Sequence, residues 1–459
     1  MKSRPALQGL AGRFQRAASA AIVAAVAGAA IPAHAADTPS AWSLYAMQPG
    51  HNAWFDSSFP AVSWTFEVPG AAEAQKSLTD RTAIRDLVGF PIGASVVDGA
   101  VYAPNDDGHL YKFDAKSGKL LWSFNAYNQV MTTPIIADAG GKPLVFIGAG
   151  NSVFTFSHAR QFAAMGASVI RGTGVSAIDA VNRTTGKLVW SYSTEGEDMP
   201  TPMITTGDLL IFGNGDGHVY ALDAATGALK WKTAIASFVS MSSAAFDPVN
   251  GVVIMGGTRP SNIYALDVAT GKRLWTVHPK EIFSSSGGDG TWAVAAGVAI
   301  GQIETRDATE KTTASTEELA IDVASGKILW SDRLGIGKVP PRNKDAVPTV
   351  VGGVVYTGSP VTHKDYAIDA RTGAVLWNAS LGTGMKAAPT VIGDAVIQPT
   401  SSGRIFTLDA RTGRVLHVYD PHQGGYGPQN GVGVGGTFFI GTNSGVFQAI
   451  PLARLGVRP

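Results

Sequence analysis

The sequence predicts an all-β protein, an eight-bladed β-propeller of four-stranded blades whose ring closes by pairing N- and C-terminal strands in one blade. Three observations predict it. One pattern, Asp-x-x-Thr/Ser-Gly followed by a short run and Trp, returns along the chain. Each copy follows an apolar strand and a polar turn. An incomplete copy stands at each end, and the two complement one another.

The copies are "YKFDAKSGKLLW" ending at Trp122, "SAIDAVNRTTGKLVW" at Trp190, "YALDAATGALKW" at Trp231, "YALDVATGKRLW" at Trp275, "LAIDVASGKILW" at Trp330 and "YAIDARTGAVLW" at Trp377. A seventh, "FTLDARTGRVLH", has His417 in place of Trp. Alternating apolar residues make the strands, and Asp107-Gly108 and Asp216-Gly217 supply hairpin turns. The Asp-x-x-Thr/Ser-Gly segment turns the third strand into the fourth, and the Trp packs between neighbouring units. A lone four-stranded sheet cannot bury both faces, so the units must pack radially. "VSWTFEV", from Val62 to Val68, has the end strand with Trp64 and nothing before it, whereas "VGVGGTFFIGTNSGVFQAIPL" has first strands and no Trp. Joined, they complete the eighth blade.

Composition agrees with this and excludes several classes. With 45% apolar and 15% charged residues, 55 Gly and 25 Pro, the chain suits a globular protein rich in turns. Residues 1–35 differ: Lys2, Arg4, Arg13 and Arg16 precede an alanine-rich run ending in Ala33-His34-Ala35, a small-x-small cleavage site. We read a Sec signal peptide cut before Ala36, a single propeller domain over 36–459, and a periplasmic or secreted product. The run from Ala17 to Ala33 is short and weakly apolar for a span, so no membrane span is expected after cleavage. Cleavage removes four cations and no anions, leaving 32 basic against 35 acidic residues, and no nucleic-acid partner is expected. The absence of cysteine excludes disulfides, thiolate metal sites, thiol nucleophiles and a lipoprotein anchor.

The Asp-x-x-Thr-Gly-x-x-x-Trp repeat resembles that of the pyrroloquinoline quinone (PQQ) quinoprotein-like family over nearly all of the chain after the signal. The resemblance is specific for fold and weak for function. That superfamily includes PQQ-dependent alcohol dehydrogenases, the outer-membrane assembly lipoprotein BamB and tetrathionate hydrolases.

In such propellers the segment linking one blade's last strand to the next blade's first crosses to the central channel, so its inner end faces a common mouth. Aligning these inlets on "TTPII", "PTPMI", "AVPTV" and "AAPTV" gives a ring of Phe90, Met131, Met199, Met241, Asp289-Gly290, Asp345, Lys386 and Gln429, flanked by Asp198, Thr291, Trp292, Lys344, Met385 and Asn430. Asp345 and Asp289 are the candidate catalytic residues. Lys386, Trp292, Asp198, Gln429, Asn430, Met131, Met199 and Met241 are the candidate substrate-binding ones, although for the methionines packing is the favoured role and for Asp345 and Lys386 a structural ion pair competes. "SSSGGDG" (284–290) could bind an anion through successive N–H groups, although a plain flexible loop is the favoured reading.

No metal site is expected. The histidines lack ligand spacing, His109 and His218 sit beside hairpin turns and are read as solvent-facing, and "NDDG" and "NGDG" are read as turns. Gln302 and Glu304 lie near where a metal ligand would be sought, but as a lone polar pair on a strand they are read as a solvated face. "TRDATEKTTASTEE" is read as a solvated loop, and "NSVFTFSHARQFAAMGASVIRG", with His158 and Arg160, as a lid or a subunit contact in a homodimer.

Three functions stay open. The first is a cofactor-independent hydrolase of a small anionic substrate, as the resemblance to tetrathionate hydrolases implies, with Asp345 as general acid/base and Lys386 holding the anion. The second is a PQQ-dependent oxidoreductase. The dehydrogenase resemblance would make Trp292 the floor under PQQ and Asp345 the base, but it puts Ala167 where a calcium-binding Glu stands. The third is a non-enzymatic BamB-like scaffold for envelope proteins.

Overall fold

The strands form where the repeat places them. The computed structural model describes residues 37–72, 76, 88–150, 176–194, 201–205, 207–239, 242–280, 290–306, 312–340, 345–428 and 430–458. Numbered from the blade that holds Trp64, blades 2 to 8 are four-stranded sheets. Blade 6, for example, comprises Ala293–Ala295, Val298–Thr305, Thr313–Asp322 and Ile328–Lys338; blade 7 comprises Thr349–Val351, Val354–Gly358, Lys364–Asp369 and Val375–Ser380. In blade 1, Val432–Val434, Thr437–Gly441 and Val446–Pro451 pair in turn, and Trp64–Glu67 completes the set antiparallel to the last. The expected closure of the ring is therefore present, with one addition: Trp54–Phe55 pairs parallel with Val432–Val434 and makes this sheet five-stranded.

Burial explains the strand composition. Second strands such as Val252–Gly257 are buried along their whole length because neighbouring blades cover both faces, whereas outer strands such as Leu229–Ala234 alternate between half-buried and exposed. Glycine-containing hairpins turn at Gly108 (φ +95°) and Gly217 (φ +79°). His109 and His218 are not solvent-facing as expected: their side chains are 21% and 31% exposed and lie 3.2 and 3.3 Å from Asp107 and Asp216 of their own hairpins. The hydroxyls of Tyr111 and Tyr220 donate to the same two aspartates, so the turn and the strand after it form one network.

The Asp and the Gly of the repeat have separate tasks. Asp369 Oδ1 accepts from the Thr372 N–H (2.8 Å) and hydroxyl (2.7 Å), which fixes the turn between the third and fourth strands. The glycine lies under the preceding blade's tryptophan. Trp64 covers Gly118 and Trp377 covers Gly413, at φ of +71° and +69°, where a Cβ would meet both strain and the indole ring. Each indole N–H then donates across the seam to a backbone carbonyl, as from Trp64 to Ala115 (2.9 Å), Trp275 to Val323 (2.8 Å) and Trp377 to Ala410 (2.9 Å). His417 instead lies against Gly456, just beyond the C-terminal 3-10 turn Leu452–Leu455.

Residues 38–55 carry no repeat, and they form a strap along the inner strands. The Thr38 hydroxyl accepts from the Gly99 N–H (2.7 Å), Trp42 pairs with Ile136, and the Ser43 carbonyl accepts from Ile204. Leu44 packs on the apolar cluster shared by blades 4 and 5. The Pro49 and Gly50 carbonyls accept from Val294 and Val350, Asn52 exchanges two bonds with Val391, and the Ala53 carbonyl accepts from Gly433. The segment thus bonds to blades 2, 3, 4, 6, 7, 8 and 1 in turn.

Candidate functional site at the inlets of blades 6 to 8

Neighbouring inlets are laced together by hydrogen bonds. The Ser242 hydroxyl donates to the Gly290 carbonyl (2.8 Å), and the Ser243 N–H donates to the Thr291 hydroxyl (3.2 Å). One blade on, the Ala346 N–H donates to Gln302 Oε1 (2.9 Å), and then the Val347 N–H donates to the Lys386 carbonyl (3.1 Å). Asp345 and Lys386 are therefore on adjoining, directly bonded segments. Asp345 is 5% exposed, and its Cβ stands 3.4 Å from where a Cβ on Gly290 would be. The inlet of blade 7 is also held from the strap: His51 Nδ1–H donates to the Pro348 carbonyl (2.9 Å), and burial lowers the His51 pKa to about 4, so the ring is neutral.

Of the other expected site residues, Met131 and Lys386 are half-buried, and Asn430 is buried with neither amide atom hydrogen-bonded, its side chain lying over Gly93. Asp198, Met199, Met241, Asp289 and Gln429 lie outside the described residues, as do Lys344, His158, Arg160 and Ala167. Phe90, expected in the mouth-facing ring, and Trp292, expected beside it, are instead buried. Phe90 is fully buried against Phe447, and Trp292, 2% exposed, packs its ring on Gly301 within the core of blades 5 and 6. With no open face, Trp292 does not fit the role of a floor beneath PQQ. Among the described residues, no group of three His, Cys, Asp or Glu is placed to hold a metal ion.

Two further expectations fail together. Gln302 and Glu304 are 3% and 0% exposed, and the expected solvated loop becomes strand from Thr313, with Thr316 and Glu318 buried. The reason is radial packing: a polar stretch on a second or third strand has a neighbouring blade on each side, so it cannot face water. Gln302 Nε2 reaches Glu318 Oε2 (3.4 Å), Thr357 Oγ1 (3.1 Å) and the Gly358 carbonyl (2.9 Å). Burial, with Asp345's charge adding to it, raises the Glu318 pKa to about 8. In blade 7, burial likewise raises the pKa of Asp365, fully buried with Oδ2 unpartnered, to about 8.

The repeat itself carries the signal that finds these acids. At the third-strand position of Glu318 and Asp365, the other blades have Leu110, Ile178, Val219, Ile263, Ile405 and Phe447. Opposite that position stand Pro104, Gly148, Gly213, Gly256, Pro399 and Gly441, where blade 6 has Gln302 and blade 7 has Gly358. Acids replace an apolar layer in two adjacent blades only.

One stability prediction arises here. Asp365 is neutral in the fold to about pH 8 but ionised in the unfolded chain above about pH 4, so folding takes up a proton in that window. Its contribution is intact below pH 4 and declines as pH rises to 8. Asp365→Asn is expected to stabilise the protein at pH 8 by on the order of a few kcal/mol and scarcely at all at pH 4. Denaturant titrations at the two pH values check this; an equal shift at both would place the effect in packing.

The sequence profile of the family described as outer membrane protein assembly factor BamB matches residues 61–159, 146–281 and 315–452. The chain belongs to the PQQ-like repeat family. This PQQ-like propeller is 32% identical over 468 residues to a tetrathionate hydrolase of Acidithiobacillus ferrooxidans, covering 91% of the chain and 87% of that relative. A tetrathionate hydrolase of Acidianus ambivalens matches at 29% over 38% of the chain and 31% of its own length. Among solved structures, BamB from Moraxella catarrhalis superposes with a TM-score of 0.58 at 16% identity, covering 84% of this chain and 98% of that one. Quinohemoprotein alcohol dehydrogenase from Comamonas testosteroni gives 0.58 at 14% identity, covering 93% and 82%. At those identities the structural likeness concerns fold alone. No described helix is long and apolar enough to cross a membrane.

Proposed function

We propose that this PQQ-like propeller is an exported hydrolase that cleaves a small anionic sulfur substrate of the tetrathionate type at the inlets of blades 6 to 8, without a redox cofactor. The observation that carries the reading is the near full-length similarity to a tetrathionate hydrolase, joined to an acid held in place at that site. Asp345 takes the proton from the attacking water as its oxygen bonds to sulfur. The S–S bond breaks toward the leaving group, which departs with the electron pair and is then protonated. Lys386, on the adjoining segment, supplies positive charge for the anion. The buried Trp292 weighs against a quinone in the arrangement of the dehydrogenases.

Purified protein is expected to consume tetrathionate with no PQQ or calcium added, and to do so at the same rate when both are present. Stoichiometric uptake of the quinone with no loss of tetrathionate would replace this reading by the oxidoreductase. A protein that does neither would be a scaffold, a reading favoured by the exposed apolar pairs on the outer strands, such as Leu120-Leu121 and Ile328-Leu329. The mass of the product from the periplasmic fraction tests export, with Ala36 expected as its first residue.

A further inference from the structure

We propose that Glu318 and Gln302 are positioning residues that hold the Asp345 segment from behind, and that Glu318 and Asp345 share a single proton at this corner of the mouth. The inference deepens the proposed function and rests on its reading of Asp345 as the acid/base. Gln302 is the physical link. Its Oε1 accepts from the Ala346 N–H, next to Asp345, while its Nε2 donates toward Glu318 and bonds the Thr357 hydroxyl and Gly358 carbonyl of blade 7. A glutamine in this place fixes the inlet to the neighbouring blade's core, and a glycine or proline, as in the other blades, has no side-chain amide with which to do so.

Glu318 is 0% exposed, with Oε1 unpartnered. Among the described residues, the partners given for it are acidic or neutral: Gln302 opposite on the second strand, Asp332 opposite on the outer strand, Asp345 in the next inlet and Thr357 in the next blade. Glu304 lies two residues from Gln302, and Glu317 pairs with Arg333, one residue along each strand (3.2 Å). No hydrogen bond or ion pair from a cation to Glu318 is formed among the described residues. Two carboxylates so placed resist being ionised together. Glu318 therefore keeps its proton through the neutral range, to about pH 8. Above that pH, Glu318 ionises and sets a second negative charge beside Asp345, which opposes an anionic substrate.

Two measurements on the purified protein test this. The first is the pH profile of tetrathionate hydrolysis: the wild type should lose activity about tenfold per pH unit above about pH 8, mainly through KM, and Glu318→Gln should abolish that alkaline fall. An unchanged fall in Glu318→Gln, with Asp345→Asn inactive, would overturn the proposal while leaving the proposed function standing. The second, an infrared titration of protonated carboxyl groups, needs no activity. In an Asp365→Asn background, one buried acid should titrate near pH 8, and adding Asp345→Asn should move it to lower pH. An unmoved titration, or none, would overturn the shared proton even if Glu318→Gln failed to fold. A fully active Asp345→Asn would instead remove the reading on which the inference rests.

Discussion

Replacing Asp345 by Asn is expected to lower tetrathionate turnover by about 10²- to 10⁴-fold, the range in which a positioned acid/base acts. The melting temperature should scarcely change. The amide has nearly the shape of the acid, and three bonds to neighbouring residues stay in place in the variant: Ala346 N–H to Gln302, Val347 N–H to the Lys386 carbonyl, and the Pro348 carbonyl to His51. Steady-state assays beside a thermal melt separate the two effects. A folded variant with full activity would remove Asp345 from the chemistry, and one that melted far below the wild type would make the residue structural.

Trp377→Ala should cost about 3–5 kcal/mol of unfolding free energy, the usual range for truncating a large buried aromatic. The indole is 8% exposed, donates to the Ala410 carbonyl at 2.9 Å, covers Gly413 and packs beside Tyr356 with ring centroids 6.2 Å apart. Alanine would lose the seam bond and open a void between blades 7 and 8 that the sheets cannot close without moving as bodies. Urea unfolding gives the number. A loss below about 1 kcal/mol would mean that the sheets' own apolar faces hold the seam and the tryptophan only covers it.

The fold was legible because the repeat states it many times over. The tryptophans, the turn aspartates and the glycines under the rings each recur at one spacing, and the split unit at the termini shows how the ring closes. The proposed site was legible only where it departs from the repeat at an inlet, as at Asp345. Glu318 was not found in that way, because it lies within a charged insertion that reads as surface, and Gln302 reads as half of a polar strand face. Local polarity reports exposure only for a strand with water on one side, and these strands have a blade on each. Aligning third strands position by position would have shown two acids in an otherwise apolar layer. Trp292 failed for the opposite reason: its isolation from the repeat drew attention, although Gly301 leaves it a packing slot. The strap had no signal, since its partners lie at distances along the chain that no local pattern encodes.

That strap alters how the ring can come apart. In a circular array each blade touches two neighbours, so a local opening need disturb only two seams, and partial unfolding can begin in any sector. A thread bonded along the inner circumference gives distant sectors a common tether. Freeing blade 3 from Trp42 loosens the same short segment that blade 7 holds at Gly50 and blade 8 at Asn52. The eight units should then melt as one cooperative transition, with the inner thread, rather than any single seam, setting the size of the unfolding unit.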